Sequence, residues 1–463
     1  MIQAEYVLSA LGWGVIPNSF MKFPHLEEFK VAMLEVGNLL NRNLAEKCQS
    51  TIPKISTLFN ALTEKIKLKE IQELNRMGFP LLYADSGGLQ ILTVDSEITP
   101  QIKDQIYRVQ TNADFAFCFD EIPLKTVGER SRNERSNVFN KVFDAEACGP
   151  CGEKTGQNIK EQVELFQKLG AKTKVILICH GNNLDDFLRY YDSIVSKLED
   201  HDYENIGGIS IAKTSAGNQT REAIELVRVA KKISRNCHPA VKAQMHLLGV
   251  GAISKLRPLM YLVRSGYLTE YPVISYDSSS HTSCFDYGLL KINGGCDTLG
   301  KTRTARGVAH FKNVYQLFEP VLKKYLTVDE FLAGIYCGPS KQTENTLDIE
   351  MTPEPTWPFS AIREKAVTNP NKKAGIIGLL SKTLHIYFMI TNFCQNVDKL
   401  FREKDTDIEG EDATPMLQLK RIRDDKDIEK WIEEHSGKGK AVPSAKIAST
   451  EELGSTLERL FEE

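Results

Sequence analysis

The sequence predicts an α/β protein built on a (β/α)8 TIM-type barrel, with insertions, a helical C-terminal region and a charged tail. Short apolar runs of strand length alternate with stretches of helical periodicity, which indicates a parallel sheet. Polar residues or glycines recur where these runs end, and in a barrel such positions meet at the C-terminal face. A doubly wound sheet is the competing architecture, but no Gly-x-Gly-x-x-Gly follows the first strand.

Strands and helices are predicted in alternation through the middle of the chain. The predicted strands cover residues 78–82, 113–119, 174–179, 206–211 and 273–276. The predicted helices cover residues 162–169, 184–198, 221–233, 254–263 and 376–400.

Three regions follow from these patterns: a mostly helical N-terminal segment, a barrel with its C-terminal helical elaboration, and a charged, partly flexible tail. Their boundaries are 1–75, 76–400 and 401–463. In the first region, apolar residues recur at helical spacing between Phe29 and Leu40. In the tail, Ser449 and Glu452 form a capping-box pattern before an apolar run, which predicts a terminal amphipathic helix.

The composition is typical of a large cytoplasmic protein. The chain has 463 residues, of which 41% are hydrophobic, and its net charge is -3. It has no run of about 18 apolar residues and no basic-then-apolar N-terminus, so we expect no membrane partner. Its ten cysteines show no disulfide framework, which favours reduced thiols in the cytoplasm. The near-neutral charge neither indicates nor excludes nucleic-acid binding.

The residues that follow the first predicted strand of the middle region combine several chemical groups. The strand delivers Asp85 to its C-terminal end, and Gly87 and Gly88 let the backbone turn and approach a flat ligand closely. Ser86 and Gln90 can hydrogen bond to the edge of a heterocycle. A plain strand-to-turn junction with an Asx-type hydrogen bond is the structural alternative.

Five motifs, in this order, resemble those of the queuine/archaeosine tRNA-guanine transglycosylase superfamily, barrel enzymes that exchange guanine for a 7-deazaguanine. They are Asp85-Ser86-Gly87-Gly88-Leu89-Gln90, Phe119-Asp120-Glu121, Gly207-Gly208, Leu248-Gly249-Val250-Gly251 and Tyr276-Asp277-Ser278-Ser279-Ser280. The stretch from His385 to Asn396 is similar to a His-Asn-x-x-Tyr-type helix of the family. The resemblance covers residues 75–400, roughly.

The resemblance implies a role for each of three carboxylates. Asp277 would be the nucleophile that attacks C1′ of the target nucleoside, and Asp85 the general acid/base beside the departing purine. Asp120 would accept hydrogen bonds from N1–H and the exocyclic amine of the base. Asp286 is a rival nucleophile, because it too follows a plausible strand. The other expected substrate-binding residues are Ser86, Gly87, Gly88, Gln90, His180, Gly181, Gly208 and Gly249.

Departures from the family pattern favour DNA as the polymer. The family's Cys-x-Cys-x-x-Cys…His zinc cluster, in a region that helps to hold tRNA, is not found after Asp277. We therefore expect the DNA-guanine transglycosylase of 7-deazaguanine DNA modification, with DNA, the free 7-deazaguanine base and accessory DNA-opening proteins as partners. The alternatives are a tRNA-guanine transglycosylase with a divergent C-terminal half and a catalytically silent nucleic-acid-binding paralogue. Smaller departures stand at Leu89, His180-Gly181-Asn182 and Lys213.

No metal or other cofactor is predicted, with zinc kept as an alternative. Cys148 and Cys151 have thioredoxin-like spacing, in a stretch that the sequence predicts to be a polar, looped insertion. They could form half of a zinc site completed by Cys179, Cys284 or Cys296. No second closely spaced cysteine pair supports that site.

Overall fold

A computed structural model of the chain describes the central part of the sequence and several shorter segments. The described residues are 3–8, 35, 39, 42, 56–61, 81–87, 98–126, 141–213, 219–250, 253–277, 289–292, 295–298, 305–324, 327–329, 331–332, 384 and 418–436. None of the helices in these segments is long and apolar enough to cross a membrane.

The described strands, numbered along the chain, are β1 (Gln3–Leu8), β2 (Ser56–Asn60), β3 (Leu82–Asp85), β4 (Phe115–Phe117), β5 (Leu124–Thr126), β6 (Lys141–Phe143), β7 (Lys174–Gly181), β8 (Ile206–Lys213), β9 (Met245–Leu247), β10 (Val273–Asp277), β11 (Leu289–Ile292) and β12 (Gly295–Thr298). The described α-helices of eight or more residues are α1 (Pro100–Gln110), α2 (Cys148–Lys168), α3 (Leu184–Val195), α4 (Gln219–Asn236), α5 (Ile253–Ser265), α6 (Ala305–Leu322) and α7 (Asp425–Ser436).

Eight of these strands form one curled, all-parallel sheet, called here the barrel-like sheet. Its order is β1-β2-β3-β4-β7-β8-β9-β10, so its strands are arranged in chain order, with β5 and β6 forming a separate two-stranded sheet. β1 pairs with both β10 and β2, which brings the first and last strands of the sheet together. A described helix lies between each two successive strands of this sheet from β3 to β10, and α6 follows β10 after β11 and β12. The predicted α/β class with a barrel-like parallel sheet is confirmed.

Local sequence explains why the best-defined strand and helix form where they do. Residues 175–179 of β7 form a continuous apolar run, and every residue of the strand after the first is buried, as is typical of a parallel strand covered on both faces. Asn183 then caps α3, because its side-chain oxygen accepts a hydrogen bond from the amide of Asp186. Phe187, Tyr190 and Ile194 of α3 are buried at helical spacing, so one face of the helix packs on the sheet.

Aromatic rings fill the interior of the barrel-like sheet below the strand ends. Tyr83 stacks on Phe115 with ring centroids 5.0 Å apart. Phe117 meets the ring of His246 edge-on, with centroids 4.7 Å apart. These rings make a packed floor beneath the C-terminal ends of β3, β4 and β9.

The prediction of a separate, mostly helical N-terminal segment needs correction, because this region contributes two strands to the barrel-like sheet. β1 pairs with β10 over five positions, and β2 pairs with β3 over four. A boundary at residue 75 therefore cuts through the sheet. Each strand is only five or six residues long, and pairing with distant strands, rather than local periodicity, holds such short runs in place. The helical pattern from Phe29 to Leu40 lies mostly outside the described residues.

The Cys148–Cys151 stretch was predicted to be a loop and instead forms the first turn of α2. Pro150 is tolerated there because the first turn has no intrahelical partner for its missing N–H. A glycine in this helix allows close packing against α3. A Cβ on Gly152 would lie 2.5 Å from the carbonyl oxygen of Tyr190 in α3. Within the described segments no group of three or more His, Cys, Asp or Glu could hold a metal.

Part of the charged tail, residues 418–436, packs on the core rather than lying free. Leu419, Ile422, Ile428 and Trp431 are buried, so this part carries its own apolar face. The predicted helix after Ser449, like the stretch 385–396, lies outside the described residues.

Asp425 joins this docked segment to α4 through charged contacts. Its carboxylate lies 2.6 Å from Nζ of Lys232 and 2.7 Å from Nη1 of Arg235, and it accepts a hydrogen bond from the hydroxyl of Tyr267 at 2.9 Å. Burial opposes ionisation, but the hydrogen bonds from these groups outweigh it and lower the pKa of Asp425 to about 2. Mixed charge alone suggested a solvated tail, whereas complementary charges on α4 fix this part in place.

Candidate active site

Three carboxylates meet at the C-terminal ends of the strands. Asp85 is the last residue of β3, Asp277 is the last residue of β10, and Asp120 follows shortly after β4. Asp120 and Asp277 are 9% and 8% exposed, and Asp85 is partly exposed. The negative charges of Asp120 and Asp277 both act on Asp85, so the carboxylates share one electrostatic environment.

The pKa of Asp85 is raised to about 7. Burial of the carboxyl is the main cause, followed by the charge of Asp120 and a smaller contribution from Asp277. Hydrogen bonds from the backbone amides of Gly87 and Ser86 lower it in part. Gly87 has φ of 81°, a left-handed conformation that favours glycine and turns the chain sharply after the strand. A carboxyl with this pKa can both donate and accept a proton near neutral pH.

A buried amide fixes the ends of β3 and β4 relative to each other. Nε2 of Gln110 donates to the carbonyl of Ala84 at 3.3 Å and to that of Phe117 at 2.9 Å. Gln162 in turn donates to Oε1 of Gln110 at 2.7 Å. The residue before Asp85 and the end of β4 are therefore held by the same side chain.

Asp277 is held through one carboxylate oxygen. The amide of Gly249 donates to Oδ1 at 2.9 Å, and Nε2 of His246 lies 3.3 Å from the same atom. Gly249 has φ of 69°, the left-handed conformation that aims its amide at the carboxylate. No described residue hydrogen bonds to Oδ2, which leaves that oxygen for a ligand.

Asp120 is paired with His180 of β7. Nε2 of His180 lies 2.5 Å from Oδ2 of Asp120, and both side chains are buried. The ring of His180 also meets Tyr190 edge-on, with centroids 5.5 Å apart. The histidine therefore orients the carboxylate and occupies one of its oxygens.

The backbone on either side of Asp120 is tied to helices outside the sheet. Asn158 of α2 donates to the carbonyl of Phe119 at 3.0 Å, and the hydroxyl of Tyr190 donates to the carbonyl of Glu121 at 2.8 Å. These bonds satisfy carbonyls that leave the strand ladder. These hydrogen bonds hold the backbone at Asp120, the predicted recognition residue, against α2 and α3.

Two of the predicted substrate-binding glycines allow close packing. A Cβ on Gly181 would lie 2.7 Å from the amide nitrogen of Phe187, where α3 approaches β7. A Cβ on Gly208 would lie 2.5 Å from the carbonyl oxygen of Gln244, between β8 and the residue before β9. Close backbone packing therefore accounts for glycine at both positions.

Ser86 is the predicted binding residue with an unused polar group. Its hydroxyl is buried and has no hydrogen-bond partner among the described residues. A buried orphan hydroxyl beside Asp85 suits a polar ligand atom. Gly88, Gln90 and Asp286 lie outside the described residues.

Sequence reasoning missed the polar residues beneath Asp277, namely Gln244, His246 and Ser275. A signal for them exists, because polar residues recur at every second position around the short apolar strands: Gln244 and His246, then Ser275 and Asp277. Period two places each pair on one face of its strand. Ser275 also lies opposite His246 in the register of β9 and β10.

The described residues also line a groove of about 290 Å³ on the outer face between α1 and α2. It does not include any of the three carboxylates, and we place the chemistry at the strand ends because the perturbed acid lies there. The lining residues are Pro100, Lys103, Asp104, Tyr107, Glu161 and Leu165.

Comparison with known proteins adds no assignment. No protein-family model matches the chain, and no curated protein matches it significantly. The site geometry and the sequence motifs therefore carry the functional argument.

Proposed function

We propose that the protein is a pentosyltransferase that replaces guanine in DNA by a 7-deazaguanine derivative through a covalent glycosyl-enzyme, on a (β/α)8 TIM-type barrel. The observation that carries this proposal is a pair of unlike carboxyl groups at one sheet end. Asp85 has its pKa raised to about 7, whereas Oδ1 of Asp277 accepts a hydrogen bond from the amide of Gly249 at 2.9 Å and lies 3.3 Å from Nε2 of His246. One group suits proton transfer and the other suits nucleophilic attack.

The reaction needs two displacements at C1′. An oxygen of Asp277 attacks C1′ as the bond to the guanine nitrogen breaks, and protonated Asp85 supplies the proton that the departing purine takes up. The incoming base then gives a proton to Asp85 and attacks C1′, and the ester bond to Asp277 breaks. Two inversions retain the configuration at C1′. Water must be excluded, because hydrolysis of the ester would leave an abasic site.

Asp120 and Ser86 support recognition of the base. Oδ2 of Asp120 is bonded to His180, so Oδ1 is the oxygen available for N1–H or the exocyclic amine of a guanine-like ring. The orphan hydroxyl of Ser86 can hydrogen bond to another polar atom on the edge of the base. His180 acts in this proposal by fixing Asp120.

The choice of DNA rests on the sequence, where the tRNA-holding cysteine cluster after Asp277 is missing. A guanine in duplex DNA must be extruded before attack, which costs a few kcal/mol and favours a partner that opens the strand. A tRNA-guanine transglycosylase is the second candidate, because the motifs at the strand ends resemble those of that superfamily. A silent paralogue is disfavoured by the perturbed Asp85 beside Asp277.

Transfer of labelled guanine into a polymer tests the proposal. The protein is incubated with the labelled base and either duplex DNA, single-stranded DNA or tRNA, and the label in each polymer is measured. We expect label in DNA, no label with Asp277→Asn, and retained label with the matched variant Asp286→Asn. Label in tRNA alone would establish the second candidate. No label in any polymer, or loss of activity in Asp286→Asn with activity kept in Asp277→Asn, contradicts the assignment.

A further inference from the structure

A chain of buried polar groups runs through the interior of the barrel-like sheet to Asp277. Nε2 of Gln244 donates to the hydroxyl oxygen of Ser275 at 2.7 Å, and that hydroxyl lies 2.9 Å from Nδ1 of His246. Nε2 of His246 lies 3.3 Å from Oδ1 of Asp277. Gln244, His246 and Ser275 are all buried, so water does not supply alternative partners.

A single direction of donation, from Gln244 toward Asp277, is consistent with every contact in this chain. Both hydrogens of the Gln244 amide are used, because its nitrogen also donates to the hydroxyl of Tyr83 at 3.0 Å. The oxygen of Ser275 therefore accepts from Gln244, and its own hydrogen is free to point at Nδ1 of His246. An imidazole whose Nδ1 accepts carries its proton on Nε2 when neutral. That proton points at Oδ1 of Asp277.

We propose that His246 is a positioning residue for Asp277, held as the neutral Nε2–H tautomer by Ser275 and Gln244. With Gly249 donating to the same oxygen, His246 fixes Oδ1 and turns Oδ2 toward the reacting carbon. The catalytic part of this role rests on the proposed function, whereas the tautomer does not.

Ionisable groups on neighbouring strands lie near His246. The carboxyl of Asp85 and the pair formed by Asp120 and His180 face the same end of the sheet. On β3, Tyr83 carries an ionisable hydroxyl, and the centroid of its ring lies 6.2 Å from that of His246. Each of these groups can contribute to a pH profile measured on variants of His246.

The tautomer is tested by NMR of the full chain carrying 15N-labelled histidine. The signal that disappears in His246→Gln belongs to His246. We expect the shift pattern of an Nε2–H tautomer near neutral pH, and a mixture of tautomers in Ser275→Ala. An Nδ1–H tautomer would mean that Nδ1 donates to the hydroxyl oxygen of Ser275, and a doubly protonated ring would mean that the histidine is an ion-pair partner. Either result overturns the proposal without any measurement of activity.

The positioning role is tested by the pH dependence of base exchange. His246→Phe keeps a ring against Phe117 and removes the donor, so kcat should fall roughly 10- to 100-fold. Loss of the charge-assisted hydrogen bond to Asp277 should also shift the low-pH limb of the kcat profile to higher pH, by about one unit. His246→Gln retains an amide donor at the Nε2 position and should restore most of kcat and the original limb.

The two proposals fail in distinguishable ways. If the parent protein transfers no base, the proposed function fails while the NMR result on the tautomer still stands. If the parent is active and His246→Phe retains both kcat and the acid limb, the positioning role is wrong while the function stands. Should His246→Phe not fold, Ser275→Ala takes its place, because it removes the hydroxyl that fixes the tautomer. An active Ser275→Ala variant with an unchanged profile and a single tautomer would also refute the role.

Discussion

Asp85→Asn is expected to make the folded protein more stable at pH 8, although it removes the predicted acid/base. The charged form of Asp85 is disfavoured in the fold by burial and by the charges of Asp120 and Asp277, which raise its pKa to about 7. An asparagine has no charge to lose, and its Oδ1 can still accept from the amides of Ser86 and Gly87.

The magnitude follows from the pKa shift. The shift runs from 3.8 to about 7, and each unit is worth about 1.4 kcal/mol, so ionised Asp85 costs at most about 4 kcal/mol. Asp85 keeps some exposure, and solvent screening reduces this figure. We expect a gain of about 1–3 kcal/mol at pH 8.

The destabilisation by ionised Asp85 increases with pH over a definite range. The folded pKa is raised, so the unfolded chain releases this proton first as the pH rises. The destabilisation is absent below the unfolded pKa near 3.8, grows between pH 4 and pH 7, and is complete above the folded pKa of about 7. The gain from Asp85→Asn should therefore be near zero at pH 4 and largest at pH 8.

Guanidinium unfolding of the parent and the variant at pH 4, 6 and 8 measures this difference. Asp104→Asn is the matched control, because Asp104 is an exposed carboxylate on α1 that pairs with Arg108, 2.7 Å away. The control should show no gain that grows with pH. A stability difference for Asp85→Asn that is independent of pH, or that decreases as the pH rises, would refute the reasoning about the shared charges.

Three further predictions concern the frame around the site. Asp425→Asn should lower the free energy of unfolding at pH 7 by about 1–2 kcal/mol. This contribution is present above pH 4 and is lost as the pH falls through the folded pKa of about 2, which denaturant titrations over this range would detect. Gly208→Ala places a Cβ 2.5 Å from the carbonyl oxygen of Gln244, so we expect a lower melting temperature by circular dichroism; an unchanged value would contradict that contact. A chain ending at residue 417 loses the docked segment and should aggregate or melt at a lower temperature, whereas a chain ending at residue 436 keeps it. Equal melting temperatures of the two chains would mean that the docked segment does not stabilise the fold.

The alternation of strand and helix could be predicted from the sequence for the middle of the chain. The strands that end at Asp85 and Asp277 are local apolar runs, and period and length identify them without knowledge of neighbours. The same patterns placed polar residues at strand ends and so indicated where chemistry belongs. β1 and β2 were missed because a strand of five or six residues gains its definition from pairing, which a local pattern does not record.

The states of the site residues depend on contacts between distant parts of the chain. The His180–Asp120 pair joins residues 60 positions apart, and Gln244 reaches Tyr83 across 161 positions. The pKa of Asp85 is set by burial and by charges that the fold brings beside it, so its sequence neighbours could not reveal it. Residue types and periodicity therefore determined the strand ends and the candidate acids. Only tertiary packing decided which acid holds a proton near neutral pH and which groups hold the other in place, because burial and hydrogen bonding are properties of the assembled interior.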